Sequence, residues 1–240
     1  MGASAERRKL LDRTALYLAP AAMIELESYT KAIRSRQRTL ETRGVNASDL
    51  VEWETLAAKH GLALMQFRAE AATRLSERAL DAFKRIAAPD LSLHAEYAPG
   101  APRSEADFLD ALRGNRPRDL RRGSATAGPH RDDLALSISG HQVRGVASQG
   151  QHRAVTLSLK SAEIDVIGAA RGVRPILLLD DVSSELDRER TAALFAFLRD
   201  QEGQVVLTTT RPELIDTGKD ADRRDFAIDR GRLSRVDGQG

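Results

Sequence analysis

The 240-residue sequence contains no cysteine, which excludes a disulfide framework and thiolate chemistry and agrees with a reducing compartment. Aromatic residues make up only 4%, so a core must be built on Leu, Ile, Val and Ala. No apolar run approaches the roughly 20 residues of a membrane-spanning helix. The opening segment MGASAERRKLLDR is polar and has no signal-peptide core. A cytoplasmic location without membrane contact is the expectation. Net charge is also small, +2 from 37 basic and 35 acidic residues, so only local clusters can speak of partners. A phosphate-cradling GxxxxGK[ST] loop is missing, and the one Gly-Lys pair, Gly218-Lys219, is followed by Asp220. No helix-turn-helix, zinc finger or aromatic stacking platform is present, which removes sequence-specific base readout.

What remains is a globular composition, 41% hydrophobic and 30% charged, with two kinds of pattern. Residues 6–42 read as helix. Ala22, Leu26, Tyr29, Ile33 and Leu40 form a narrow stripe that Arg36 breaks, and Pro20 marks a kink or restart. Gly44 ends this helix, and Asn46 or Ser48 can cap the next one. The second helix carries Leu50, Trp53, Ala57, His60, Leu64, Phe67 and Ala71 on a heptad-like stripe and runs to about Ile86, with Gly61 as a weak point. Two long helices joined by a short turn predict an antiparallel hairpin over 1–88, with His60 as a seam residue and not a ligand.

From Pro89 the pattern changes to α/β over 89–240. Strands are expected at 91–97, 134–139, 142–147 and 204–209, and helices at 104–113, 148–169, 187–199 and after Pro212. A Gly- and Arg-rich connection fills 115–127, and a last hairpin covers 225–229 and 233–236. The segment VRPILLLDDVSSELD, 173–187, dominates this half. Its apolar run Ile176–Leu179 predicts a strand buried on both faces, as in a parallel sheet. The run ends in Asp180 and Asp181, where open α/β sheets bind ligands. An apolar strand ending in acid is the Walker B pattern, whose first Asp holds Mg²⁺ and whose second acid orients the attacking water. Upstream, SQGQ (148–151) opens a helix, and small polar residues at such an end form an anion site.

The order SQGQ, helix, LLLDD, SSELD, helix, strand matches the signature motif, Walker B and D-loop of ABC-type ATPases. In detail SQGQHR, SLKSAEID, PILLLDDVSSELD and VVLTTT resemble RecF, a bacterial recombination-mediator family of that class. GPHRDDL (128–134), ERRKLLDR (6–13) and the basic helix around KAIRSRQR agree with the resemblance, which covers 6–236. It implies an α/β ABC-type ATPase lobe, lacking the Walker A half, with an antiparallel helical hairpin arm. The expectation is therefore a C-terminal portion of such a protein. By position the resemblance places Ser148, Gln149, Gly150 and Gln151 on the signature and Asp187 on the D-loop. It also puts Asp180 at Mg²⁺, Asp181 as the catalytic acid, and Thr210 where most ABC ATPases have a switch His. It further implies ATP, an ATP-dependent homodimer, slow hydrolysis that this chain does not perform alone, and RecR and RecO as partners.

Two basic clusters, Lys31, Arg34, Arg36 and Arg38, and Arg116, Arg118, Arg121 and Arg122 with Arg113, are candidates for DNA backbone contact. The resemblance makes that DNA single-stranded, gapped or linear double-stranded, bound without sequence preference in repair and replication. Arg131-Asp132-Asp133 is expected to be a structural ion-pair corner near the nucleotide and not a metal site. Two rival readings weaken on the residues themselves. An autonomous ABC ATPase needs a Walker A loop, and a purely structural coiled-coil module leaves Asp180-Asp181, SQGQ and SSELD unexplained.

Overall fold

A computed structural model describes residues 3–86, 90–180, 195, 198, 203–212, 215 and 223–236. They fall in two compact units, Met1–Pro175 and Ile176–Gly240. No helix among the described residues is long and apolar enough to cross a membrane.

The first unit begins with three helices, α1 (Ser4–Leu18), α2 (Ala21–Arg43) and α3 (Leu50–Ile86). Pro20 produces a full break between α1 and α2. The residue before a proline is pushed out of the helical region, and Ala19 is extended at φ −144°, ψ 109°. Gly44 stops α2 at φ +83°, with its N–H donating to the Leu40 carbonyl. The pairs Glu25–His60, Arg36–Glu54 and Arg43–Asp49 run in opposite sequence directions, so α2 and α3 form the expected antiparallel hairpin. Ala22, Tyr29 and Leu40 are buried on one side, and Leu50, Ala57, Leu64 and Ala71 on the other.

The buried face of α3 is wider than a two-helix seam, because α6, β1 and α4 also pack along it. Ala58, Met65, Ala72, Leu75 and Phe83 are buried as well. The compact unit therefore runs past the arm to Pro175.

β1 (Leu93–Ala98) pairs antiparallel with β2 (Asp133–Ile138), with Leu93 opposite Ile138 and Ala98 opposite Asp133. β2 also pairs with the two-residue β3 (His141–Gln142). The expected strand over 142–147 is absent, since the chain turns at Gly145 (φ +85°). Between the strands lie α4 (Glu105–Gly114), capped by Ser104, and α5 (Arg116–Arg122). α5 replaces the expected irregular connection. Pro117 stands in its first turn, where a missing N–H costs nothing, and left-handed Gly123 closes it. The unit ends with α6 (Gln149–Arg171), closed by Gly172 at φ +68°.

In the second unit β4 (Leu177–Leu179) pairs parallel with β5 (Val205–Leu207), and β6 (Asp225–Asp229) forms a hairpin with β7 (Arg232–Val236). The expectation that the β4 strand is buried on both faces is not met. Side chains alternate along a strand. Leu177 and Leu179 are half-buried, whereas Leu178, facing the other way, is 72% exposed, as its neighbour Val206 also is by half. The helices expected at 187–199 and after Pro212 lie outside the described residues, apart from Phe195 and Leu198, which are buried.

Gly61 reads in the sequence as a weak point, but in the structure it is a contact. A Cβ there would stand 2.9 Å from Phe108 Cε1 and 3.2 Å from Tyr29 Cδ2. Gly61→Ala gains about 1 kcal/mol of helix propensity against an overpacking cost of roughly 1–3 kcal/mol. Urea denaturation of Gly61→Ala should therefore show a net loss of stability, whereas Gly→Ala at an open helix position would show a gain.

Candidate functional site

The loop GPHRDDL is built around one buried acid, Asp132, its half-buried neighbour Asp133, and the buried base Arg68. Arg68, on α3, donates through Nε and Nη2 to Asp12 of α1 at 2.8 and 3.1 Å, and through Nη1 to Asp132 at 2.7 Å and the Pro129 carbonyl at 2.6 Å. Asp132 also accepts from Tyr97 Oη on β1 and from the Gly100 N–H. Its neighbour Asp133 receives a bidentate pair from Arg7 at 2.7 and 2.6 Å. Partial burial alone would raise the Asp133 carboxyl, but the Arg7 hydrogen bonds and charge outweigh it and hold the group below its ordinary range. Asp132 and Asp133 thus form a structural ion-pair corner with Arg68 and Arg7, whereas Arg131 of the same run donates instead to the Ala125 carbonyl and Ser124 Oγ.

His130 joins the same corner. A carbonyl can only accept, so its 2.8 Å contact with Ala125 O puts the ring proton on Nε2. Nδ1 is then the acceptor for the Tyr29 hydroxyl at 2.6 Å. Burial lowers the imidazole below its ordinary value and pushes the Tyr29 phenol well up. Nothing in the sequence pattern announced this pair.

The two basic clusters separate into buried and exposed members. Arg36 does not break the α2 stripe outward. It is fully buried, with Nε on Glu54 at 3.1 Å, Nη1 on Asp119 at 2.8 Å and Nη2 on the Leu112 carbonyl at 2.5 Å. Arg116 makes a bidentate pair with the same Glu54, at 2.8 and 2.6 Å, and reaches the Val45 carbonyl. Arg36 is therefore removed from the set of DNA contacts, because a fully buried guanidinium cannot meet a phosphate, and Arg116, though part-exposed, is committed to its bidentate pair with Glu54. Asp119, the buried residue of α5, also accepts from Thr126, so α5 is tied down on α2. Lys31, Arg34 and Arg38 on α2, and Arg118, Arg121 and Arg122 on α5, remain exposed.

SQGQ does open a helix, and it does so with a capping box. Ser148 Oγ accepts from the Gln151 N–H at 3.2 Å, and Gln151 Oε1 accepts from the Ser148 N–H at 2.9 Å. The cap fixes an exposed Ser148 and Gln149, with Gly150 and Gln151 half-exposed, at the positive end of a 23-residue helix. That helix is anchored by Ala154, Val155, Leu159 and Ala162, which are buried where it packs on α1 and α3.

Asp180 follows β4 and is exposed. Thr208 Oγ1, just beyond β5, donates to Asp180 Oδ1 at 2.5 Å. Thr208 was not singled out in the sequence, because only the strand register brings it beside Asp180. Thr210 is exposed two residues further on, and Thr209 Oγ1 accepts from the Arg211 N–H. Asp181 and Asp187 lie outside the described residues. No group of three or more His, Asp or Glu side chains able to hold a metal occurs among the described residues. An exposed carboxylate is nonetheless the hard oxygen donor that Mg²⁺ takes together with phosphates.

No family model matches the chain. Over 234 residues it is 35% identical to the DNA replication and repair protein RecF of Trichlorobacter lovleyi, an alignment covering 95% of this chain and 63% of the relative. It is 37% identical over 225 residues to the protein of the same name from Myxococcus xanthus, covering 89% of this chain and 59% of that one. Among solved structures, that of the recombination mediator protein RecF-ATPrS in the RecFOR pathway superposes with a TM-score of 0.77 at 25% identity. It covers 99% of this chain and 64% of its own. The α/β ABC-type fold expected from the motifs is the fold of these structures. The chain spans less than two thirds of the length of these relatives.

The His130 pair has a pH signature. Its folded imidazole titrates below the ordinary value of 6.5, so the unfolded chain takes up the proton first as pH falls. Stability from this group is complete above about pH 6.5 and is lost on acidification, with a slope of at most about 1.4 kcal/mol per pH unit. Urea unfolding between pH 7.5 and 5.5 should therefore show a shallower acid loss in His130→Gln, which keeps an amide donor but has no proton to take up. Equal slopes would contradict the buried neutral imidazole.

Proposed function

The chain is a RecF homologue over 95% of its length, and from that premise we propose that it is the signature- and Walker B-bearing portion of an ATP-dependent DNA replication and recombinational repair protein. ATP would lie between two subunits. The Ser148–Gln151 end of α6 would reach the γ-phosphate bound by the partner subunit. The observation that carries this reading is the capped, exposed start of α6. As the first residues of the helix, Gln149 and Gly150 have N–H groups without intrahelical partners. Ser148 Oγ already accepts from Gln151, so its own proton is available to a phosphate oxygen.

Asp180 would hold Mg²⁺ through water, Asp181 would orient the attacking water, and Asp187 and Thr210 would serve at the D-loop and switch positions. When bound, Mg²⁺ neutralises charge on the β- and γ-oxygens. The exposed Lys31, Arg34, Arg38, Arg118, Arg121 and Arg122 would contact DNA phosphates without sequence preference, with RecR and RecO acting on the same DNA.

Sedimentation velocity tests the shared site. With ATP and Mg²⁺, the chain combined with a polypeptide carrying the Walker A segment of a RecF relative should dimerise, whereas the chain alone should show no saturable nucleotide binding. Ser148→Arg should abolish the dimer and leave nucleotide binding by the combined monomer intact. Asp181→Asn should accumulate the dimer. Normal dimerisation of Ser148→Arg would reduce SQGQ to a helix start, and tight nucleotide binding by the chain alone would contradict the partial-site reading.

A further inference from the structure

β4 and β5 end side by side, and the backbone decides what meets there. Leu178 lies opposite Val206, and Leu179 opposite Leu207. The Thr208 N–H donates to the Leu179 carbonyl at 2.9 Å, which carries the ladder one residue past β5. Side chains two apart on a strand share a face. Asp180 and Thr208 therefore continue the rows of Leu178 and Val206 and emerge on the same side. The 2.5 Å bond from Thr208 Oγ1 to Asp180 Oδ1 closes this geometry. Thr is β-branched and stiff at χ1, so the ladder also fixes the direction of its hydroxyl.

An exposed Asp carboxylate ordinarily samples several rotamers in water. Here one oxygen is held by a neutral donor, and among the described residues Oδ2 has no partner. Mg²⁺ demands near-octahedral geometry and takes few protein oxygens, so the direction in which that oxygen points matters. We infer that Thr208 is a positioning residue for Asp180, clamping Oδ1 so that Oδ2 is presented to a divalent cation. The inference rests on the reading of Asp180 as the cation-holding acid. A merely structural bond would instead clip the strand ends together and leave cation binding indifferent to it.

Mn²⁺ alone, titrated into the full chain, separates these outcomes through paramagnetic broadening of amide resonances, with thermal unfolding recorded alongside. Wild type should broaden locally at Leu179, Asp180 and Leu207, and Asp180→Asn should lose that local effect. Thr208→Val, which keeps the shape and removes the donor, should need roughly 3- to 10-fold more Mn²⁺ for the same broadening. Thr208→Ser should return to within about twofold of wild type. If Thr208→Val lowers the melting temperature yet titrates like wild type, the positioning role is overturned while the Asp180 reading stands. If wild type shows no local broadening, or Asp180→Asn keeps it, both are overturned.

Discussion

A guanidinium taken out of water must find an acceptor for its donors, and two such groups organise the first unit. Arg68 binds Asp12, Asp132 and the Pro129 carbonyl, which fastens α1, α3 and the 129–132 turn together. Asp132 extends the hold to Tyr97 on β1 and to Gly100. Arg36 does the same for α2, α3 and the α4–α5 segment through Glu54, Asp119 and the Leu112 carbonyl. Such pairs give little net stability over apolar side chains of the same volume. Removing one partner is costly, because the other is left charged in a low dielectric. In a chain so poor in aromatics, they fix which helix faces which where Leu and Ala packing alone would tolerate sliding.

The long helices were legible because their punctuation is local. Pro20 forces Ala19 extended, Gly44 takes a left-handed turn, and Ser148 with Gln151 makes a cap from four consecutive residues. What the sequence hid depends on partners far along the chain. Arg36 looks like a charged interruption of an apolar stripe until Asp119 is known to lie against it. Gly61 looks like a flaw until Tyr29 and Phe108 arrive. The change of composition at Pro89 marks a change of secondary structure and not a break in packing, since β1 and α6 both lie along α3.

The same division runs through the candidate sites. Asp180 was legible because an apolar run ends in it, whereas Thr208 became visible only through the β4–β5 register. Helical spacing sets Arg36, but not Arg34 or Arg38, on the apolar stripe of α2, yet it cannot show what would hold a charge there. Arg34 and Arg38 share the exposed face, four residues apart, and only Arg36 meets buried acids. The interior ion pairs thus select which arginines remain on the surface, and they hold α5 in place beneath its exposed Arg118, Arg121 and Arg122.

The most direct test of that selection measures stability and DNA binding on the same variants. Arg36→Met leaves Glu54 and Asp119 buried with a partner lost, and should cost about 3–5 kcal/mol in urea denaturation. Arg121→Ala/Arg122→Ala should stay within about 0.5 kcal/mol of wild type for each change. Its affinity for DNA should fall, and the slope of log Kobs against log salt should become shallower by about 1–2. The account is contradicted if Arg36→Met keeps full stability and loses DNA, or if the double variant binds DNA with the wild-type salt slope.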